Sequence, residues 1–349
     1  MQDYISGIQQ IGIGVKNASV CLHQYAKLFG MKTLVFDDIS EATLMTSYTG
    51  GKIFKRQALL ALNMRGGGGF EIWQFQNREP AEPLLLPQYG DLGIYAAKIK
   101  CADVAKAHQE FSSLADIVTS PLYKDAKDDF YFWVKDGHNN VFNVVSGNHW
   151  FLPKGSCVGG VTGAVIGVSD MDRSVAFYQS LLNIDSVVYD VIVANESGFS
   201  PQPQRCRKVL LQKHPNGKGA FGKLLGSVEI ELVQCLDRTP NKIYANRYWG
   251  DCGFIHLCFD VFDMCGLKQH LNQQGHAFTV DSVDSFGMEN AAGRFCYLED
   301  PDGTLIELVE THKVPILKKF GLYLNLKKRN LEKPLPDWMI KLLALSKVK

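Results

Sequence analysis

One pattern restricts the fold of this chain more than any single motif does: it repeats itself. Gln10-Ile-Gly-Ile-Gly-Val15 returns as Gly163-Ala-Val-Ile-Gly-Val168, and Tyr25-Ala-Lys-Leu-Phe-Gly-Met31 as Tyr178-Gln-Ser-Leu-Leu-Asn-Ile184, both at an offset of 153. Phe70-Glu71-Ile72-Trp73-Gln74 then matches Ile230-Glu231-Leu232-Val233-Gln234 at an offset of 160. The stretch from Ile94 to Asp103 matches Phe254 to Asp263 at the same offset, and Asp136 to Asn143 matches Asp300 to Glu307 at 164. The two steps in the offset are loop insertions in a constant frame. Self-similarity of this kind marks a supersecondary unit used more than once.

Each half divides again. A strand, a helix of about ten residues and three further strands can be traced four times, over 7–78, 92–147, 160–237 and 252–310. The helices are expected at Ala18–Phe29 and Arg173–Leu182 in units one and three. The linkers agree: Asn77–Gly90 is Pro-rich, and His149–Gly160 holds Pro153 and three glycines. This gives an α+β chain with double modules at 7–147 and 160–312. The tail, 313–349, is different. It is basic (Lys318, Lys319, Lys327, Lys328, Arg329), and Pro334 and Pro336 introduce an expected helix at Asp337–Val348. Trp338, Ile340, Leu342, Leu343 and Leu345 give that helix an apolar face, suited to docking on the body, covering an active site or meeting a partner.

Composition narrows the setting. The chain has 349 residues, 46% hydrophobic, with a net charge of +1, which disfavours nucleic acid or a membrane surface as a partner held by bulk attraction. Nine scattered cysteines without a Cys-x-x-Cys pair fit a reducing compartment better than a disulfide framework. No run of about 18 apolar residues is present, so a cytoplasmic protein is expected, either a monomer or a homodimer.

The most informative local stretch is Phe295–Glu310. Asp300-Pro301-Asp302-Gly303 has the chemistry of a tight turn between two strands. Glu307 interrupts the apolar run Leu305–Val309, where a carboxylate is costly unless it is paired or binds a metal. His256 sits similarly in Phe254–Phe259. Glu71 follows four glycines, Gly66–Gly69, which read as a flexible loop rather than a phosphate cradle, since no helix follows them.

Four units opening on Ile-Gly-Ile-Gly-Val and closing on Asp-Pro-Asp-Gly-Thr-Leu-Ile-Glu-Leu, with the helix pattern Arg173-Ser-Val-Ala-Phe-Tyr178, resemble the vicinal oxygen chelate superfamily over residues 7–312. This group includes glyoxalase I, methylmalonyl-CoA epimerase, extradiol dioxygenases and bleomycin-resistance proteins. The resemblance implies βαβββ modules pairing into two curved mixed sheets, with one divalent ion (Zn, Ni, Co, Mn or Fe) inside a curve. The family's ligand positions fall on Gln10 and Glu71, Ala96 and Asn143, Gly163 and Glu231, and His256 and Glu307. Ala and Gly offer no ligand atom, so units two and three are impaired. If unit one pairs with four, a single site holds Gln10, Glu71, His256 and Glu307, as in double-length glyoxalases. If neighbours pair, Glu231 joins His256 and Glu307 instead.

The resemblance implies a glyoxalase I-like lyase or isomerase working through a metal-bound enediolate on a small carbonyl substrate, with Glu307 as base and Glu71 returning the proton. The alternatives are an Fe(II) dioxygenase of the extradiol type, which normally uses two His and one carboxylate, an epimerase acting beside a thioester, and a non-catalytic binding protein of the bleomycin-resistance type. The loops at 37–57, 185–222 and 281–294 are expected to shape the substrate, with Arg56, Arg65 and Arg294 available for an anionic group.

Overall fold

In the computed structural model of the chain, residues 3–184, 186–194, 199, 204–283, 286–288, 291–317 and 322–348 are described. Unit one runs β1 (Ile5–Gly14), α1 (Ala18–Leu28), β2 (Thr33–Glu41), β3 (Lys55–Leu62) and β4 (Gly69–Phe75). Unit two follows with β5 (Gly93–Cys101), α2 (Val104–Ser112), β6 (Val118–Thr119), β7 (Tyr123–Lys124), β8 (Phe130–Lys135) and β9 (Val141–Ser146). Unit three contains β10 (Val158–Gly167), α3 (Met171–Leu182), β11 (Val187–Ala194), β12 (Arg205–Lys213), the short α4 (Gly222–Leu225) and β13 (Val228–Cys235). Unit four contains β14 (Gly253–Val261), α5 (Met264–Gln273), β15 (Val280–Asp281), β16 (Phe286–Met288), β17 (Ala291–Glu299) and β18 (Leu305–Leu317). The tail adds β19 (Leu322–Asn325) and α6 (Asp337–Lys341).

The repeat is visible in how the helices begin. Asn17, Asp103, Asp170 and Asp263 each accept the backbone N–H three residues on, which satisfies a donor the first helical turn would otherwise leave free. Asp170 therefore starts α3 at Met171, two residues before the expected Arg173.

Two mixed sheets result. The first has the order β15-β17-β18-β14-β1-β4-β3-β2, and the second β11-β12-β13-β10-β5-β9-β8-β6. Within each unit the first strand runs parallel to the last. Antiparallel pairs β1/β14 and β5/β10 join the units. Each sheet thus takes one unit from each half of the sequence, four with one and three with two.

One face of each sheet packs on the four long helices in a shared apolar core that includes Ile11, Ile72, Leu257, Phe142, Ile166 and Leu232. The helix layer ties sequence neighbours together. Tyr25 donates its hydroxyl to Asp136 at 2.7 Å, and Tyr178 donates to Asp300 at 3.0 Å. Both carboxylates belong to the turns that end units two and four, so the strand-ending turn is held from the preceding unit's helix.

The glycine run 66–69 is a close junction rather than a loose loop. Gly68 N–H donates to Val161 O and Gly160 N–H to Gly66 O, each at 2.8 Å. A Cβ on Gly67, whose φ is +102°, would stand 2.8 Å from Val161 O. Only glycine lets the two sheets approach here.

The tail crosses the sheet face opposite the helices. Leu326, Leu335 and Ile340 pack on Leu60, Leu62 and Met64. The helix ends at Lys341, well short of the expected Val348, and a 3₁₀ turn covers Leu342–Leu345. Beyond it the chain extends along β2, with Leu34 N–H donating to Ser346 O at 2.8 Å and Val348 N–H to Lys32 O at 2.9 Å. The open edge of β2 offers backbone partners, which a short isolated helix cannot match. Of the predicted apolar face only Ile340 is fully buried, while Trp338 and Leu345 are exposed. Lys318 and Lys319 lie outside the described residues.

Candidate metal centre

The centre is built on four adjacent strands of the first sheet, on the face turned away from the helices. The register places Gln10 beside Cys258, Gly12 between His256 and Glu71, and Cys258 beside Glu307. Strand alternation then brings Gln10, Glu71, His256 and Glu307 to one spot. Ligand atoms of Glu71, His256 and Glu307 lie within 4.8 Å of one another. Gln10 Nε2 donates to Glu71 Oε2 at 2.9 Å and Glu307 Oε2 at 3.3 Å. His256 Nε2 lies 3.0 Å from Glu307 Oε2 and 3.4 Å from Glu71 Oε2, yet neither oxygen is aligned to take a hydrogen bond from it. All four side chains are buried.

The electrostatics are unequal. Burial pushes the Glu71 carboxyl up, and the neighbouring Glu307 charge adds to that. Burial acts the same way on Glu307, but the His256 charge outweighs it and the carboxyl ends below its ordinary value. Burial would lower the His256 imidazole, yet Glu307 and Glu71 raise it to about 9.

The donor set fits a divalent cation. One imidazole nitrogen, two carboxylates and a side-chain amide make a mixed N/O set open to Zn, Ni, Co, Mn or Fe. His256 Nε2 and Gln10 Oε1 are both buried without a hydrogen-bond partner. A half-turn of the Gln10 amide exchanges Nε2 and Oε1, which turns that oxygen toward the carboxylates.

Sequence reasoning missed several neighbours. Gly12 has no side chain where the imidazole lies, and an added Cβ would fall 2.4 Å from His256 Cε1. Tyr297 pairs with Glu307 across the β17/β18 hairpin, and its hydroxyl lies 3.3 Å from His256 Nδ1. Partners of this kind fix a ligand's tautomer and ring orientation. Cys258 projects beside Glu307, its thiol pushed well above the usual range by burial. An aromatic wall adjoins the centre, with Trp73 and Trp249 edge to face at 4.5 Å and Tyr297 in the same buried cluster. Only the hairpin count from the Asp300 turn could have found Tyr297 in the sequence.

The remaining candidates lie elsewhere or are already partnered. Gly163, Glu231, Ala96 and Asn143 come together in the second sheet, where Val165 stands at the position matching Gly12. Lys98 Nζ lies 2.8 Å from Glu231 and 2.9 Å from Glu229, and Lys208 Nζ is 3.4 Å from Glu231. Burial alone would raise the Glu231 carboxyl, but the Lys208 and Lys98 charges bring it down to about 2. Two lysine ammoniums thus supply the charge beside Glu231. Arg65 is spent on the backbone carbonyls of Leu152, Pro153 and Ser156. Arg294 pairs with Asp281 at 2.7 Å, and Arg56 with Asp38 at 2.7 Å. All nine cysteines are free thiols. Among the described residues no helix is long and apolar enough to cross a membrane.

Comparisons with known proteins agree with this architecture. Residues 164–314 match the family model for the Glyoxalase/Bleomycin resistance protein/Dioxygenase superfamily. Glyoxalase I from Zea mays is similar at a TM-score of 0.55 and 13% identity, over 87% of this chain and 92% of that one. A proposed dioxygenase from Bacillus subtilis subsp. subtilis str. 168 is similar at 0.55 and 13%, over 88% and 86%. No curated protein matches the sequence. The family model thus places the second half of the chain, residues 164–314, in the glyoxalase/bleomycin resistance/dioxygenase superfamily, and the likenesses to solved structures show that the chain as a whole has the glyoxalase-like fold.

Proposed function

We propose that the protein is a metal-dependent lyase or isomerase of the glyoxalase I type, with Gln10, Glu71, His256 and Glu307 holding one divalent ion. The observation that carries this reading is the convergence of the three ionisable ligands within 4.8 Å in a buried cup, next to an amide whose oxygen has no partner. A bound divalent ion would polarise a substrate carbonyl and stabilise the negative charge that develops as a neighbouring C–H proton leaves. The side chains divide the proton work. Glu307 is the group proposed to accept a proton from carbon, and Glu71, across the imidazole from it, the group that delivers one at the adjacent carbon; their oxygens lie 3.0 and 3.4 Å from His256 Nε2. Tyr297 holds the imidazole in place, and the buried aromatic wall excludes water.

A single histidine with two carboxylates departs from the two-histidine facial triad of non-haem iron oxygenases. This favours proton transfer over oxygen chemistry. The substrate proposed is a hemithioacetal of a 2-oxoaldehyde. The test is a steady-state assay of thioester formation by protein reconstituted separately with Zn, Ni and Co, using methylglyoxal and glutathione. Turnover is expected with at least one ion and is expected to fall about 10²–10⁴-fold in Glu307→Gln. Metal-loaded protein without turnover, or a fully active Glu307→Gln, contradicts the reading.

A further inference from the structure

Cys101 and Cys157 are 56 residues apart in sequence, yet their sulfurs lie 3.4 Å apart in the fold. Two elements bring them together. Cys101 is the last residue of β5. Cys157 immediately precedes Val158, which opens β10 and is the register partner of Cys101. Backbone bonds hold both residues: Ala102 N–H donates to Cys157 O at 3.0 Å, and Gly147 N–H to Cys101 O at 2.9 Å. The pair thus sits where the linker between the two halves of the chain meets the second sheet.

The surroundings suit a bond between the two sulfurs. Both thiols donate to one acceptor, the carbonyl of Asp103, at 3.1 and 3.2 Å. That carbonyl also accepts the Ala107 N–H at 3.0 Å in the first turn of α2, so losing both S–H donors does not orphan it. A disulfide needs its sulfurs about 2.05 Å apart, so closure asks for an approach of about 1.4 Å. The two thiols differ in access, for Cys101 is fully buried and Cys157 half-buried.

We propose that Cys101 and Cys157 are a reversible dithiol–disulfide couple, oxidised by a low-molecular-weight disulfide. The accessible Cys157 thiolate attacks one sulfur of the small disulfide. The first small thiolate leaves and takes up the proton that Cys157 lost. Cys101 then attacks Cys157 Sγ, the second small thiolate leaves, and the Cys101 proton goes to it. Two protein thiols are oxidised, and one small disulfide is reduced to two thiols. Burial and the contact with Cys157 hold the Cys101 proton in place, so closure is the slow step. The bond pins the linker to β5 and restricts the unfolded chain. It does not depend on the proposed ion site.

The test incubates the full-length protein with oxidised glutathione, alkylates the remaining thiols and maps the disulfides by peptide mass spectrometry without reduction. The expected result is a Cys101–Cys157 link, reversed by dithiothreitol, with a melting temperature raised by about 4 °C. Cys101→Ser should stop at a glutathione adduct on Cys157, and Cys157→Ser should give neither adduct nor link. A folded wild type that forms no such link, a glutathione adduct that persists on its Cys157, or a disulfide that maps instead to another pair, such as the cross-strand neighbours Cys206 and Cys235, overturns the proposal.

Discussion

The Cβ that Gly12 lacks would fall 2.4 Å from Cε1 of His256, far inside van der Waals contact. Gly12 is register partner to both His256 and Glu71, so the bare backbone at this position is what gives the imidazole its place. Gly12→Ala is therefore expected to displace His256 and reduce bound metal at least tenfold, by elemental analysis. The melting temperature of metal-free protein should move little by comparison.

Tyr297→Phe removes the hydroxyl 3.3 Å from His256 Nδ1 but keeps the ring in its aromatic cluster. Loss of such a partner ordinarily costs about 10–100-fold in metal affinity or activity. Competition titration against a fluorescent zinc chelator measures the affinity directly. An unchanged affinity would remove Tyr297 from the account.

Lys98 is enclosed between Glu229 and Glu231 with almost no exposure. Removing one partner of a buried ion pair leaves an uncompensated charge, at a cost of about 3–5 kcal/mol. Lys98→Met should lower the urea midpoint accordingly. A variant as stable as the wild type would show that the lysine does not neutralise this region.

The same network sets an acid limit. The Glu231 carboxyl sits at about 2 in the folded protein, below its unfolded value of about 4.3. A depressed carboxylate contributes stability that is fully present above the unfolded value and is lost as pH falls through the folded one. The wild type should therefore lose stability between about pH 4 and 2 more steeply than Glu231→Gln, by chemical denaturation across that range. Parallel curves would contradict the assignment.

Much of this was legible in the sequence, because the unit repeats. The offsets of 153, 160 and 164 align Gln10, Glu71, His256 and Glu307 with positions of equal standing in the other units, and the structure brings those four together. What the sequence left open was which units share a sheet. Either pairing buries the same apolar faces, so hydrophobic pattern cannot decide it; the antiparallel register of β1 on β14 does. Gly12 and the run Gly66–Gly69 were opaque for a related reason. A glycine required by a neighbour distant in sequence looks the same as one placed for flexibility. The tail misled because its apolar spacing extends past Lys341, where the open edge of β2 captures the chain instead.

The central claim is that one divalent ion binds where Glu71, His256 and Glu307 converge. Elemental analysis of protein purified without a histidine tag, for the wild type and for His256→Ala, tests it most directly. The expected result is about one equivalent of a first-row divalent metal per chain in the wild type, lost in the variant. A wild type that holds no metal and takes up none on titration, or a variant that retains the full equivalent, would contradict the claim.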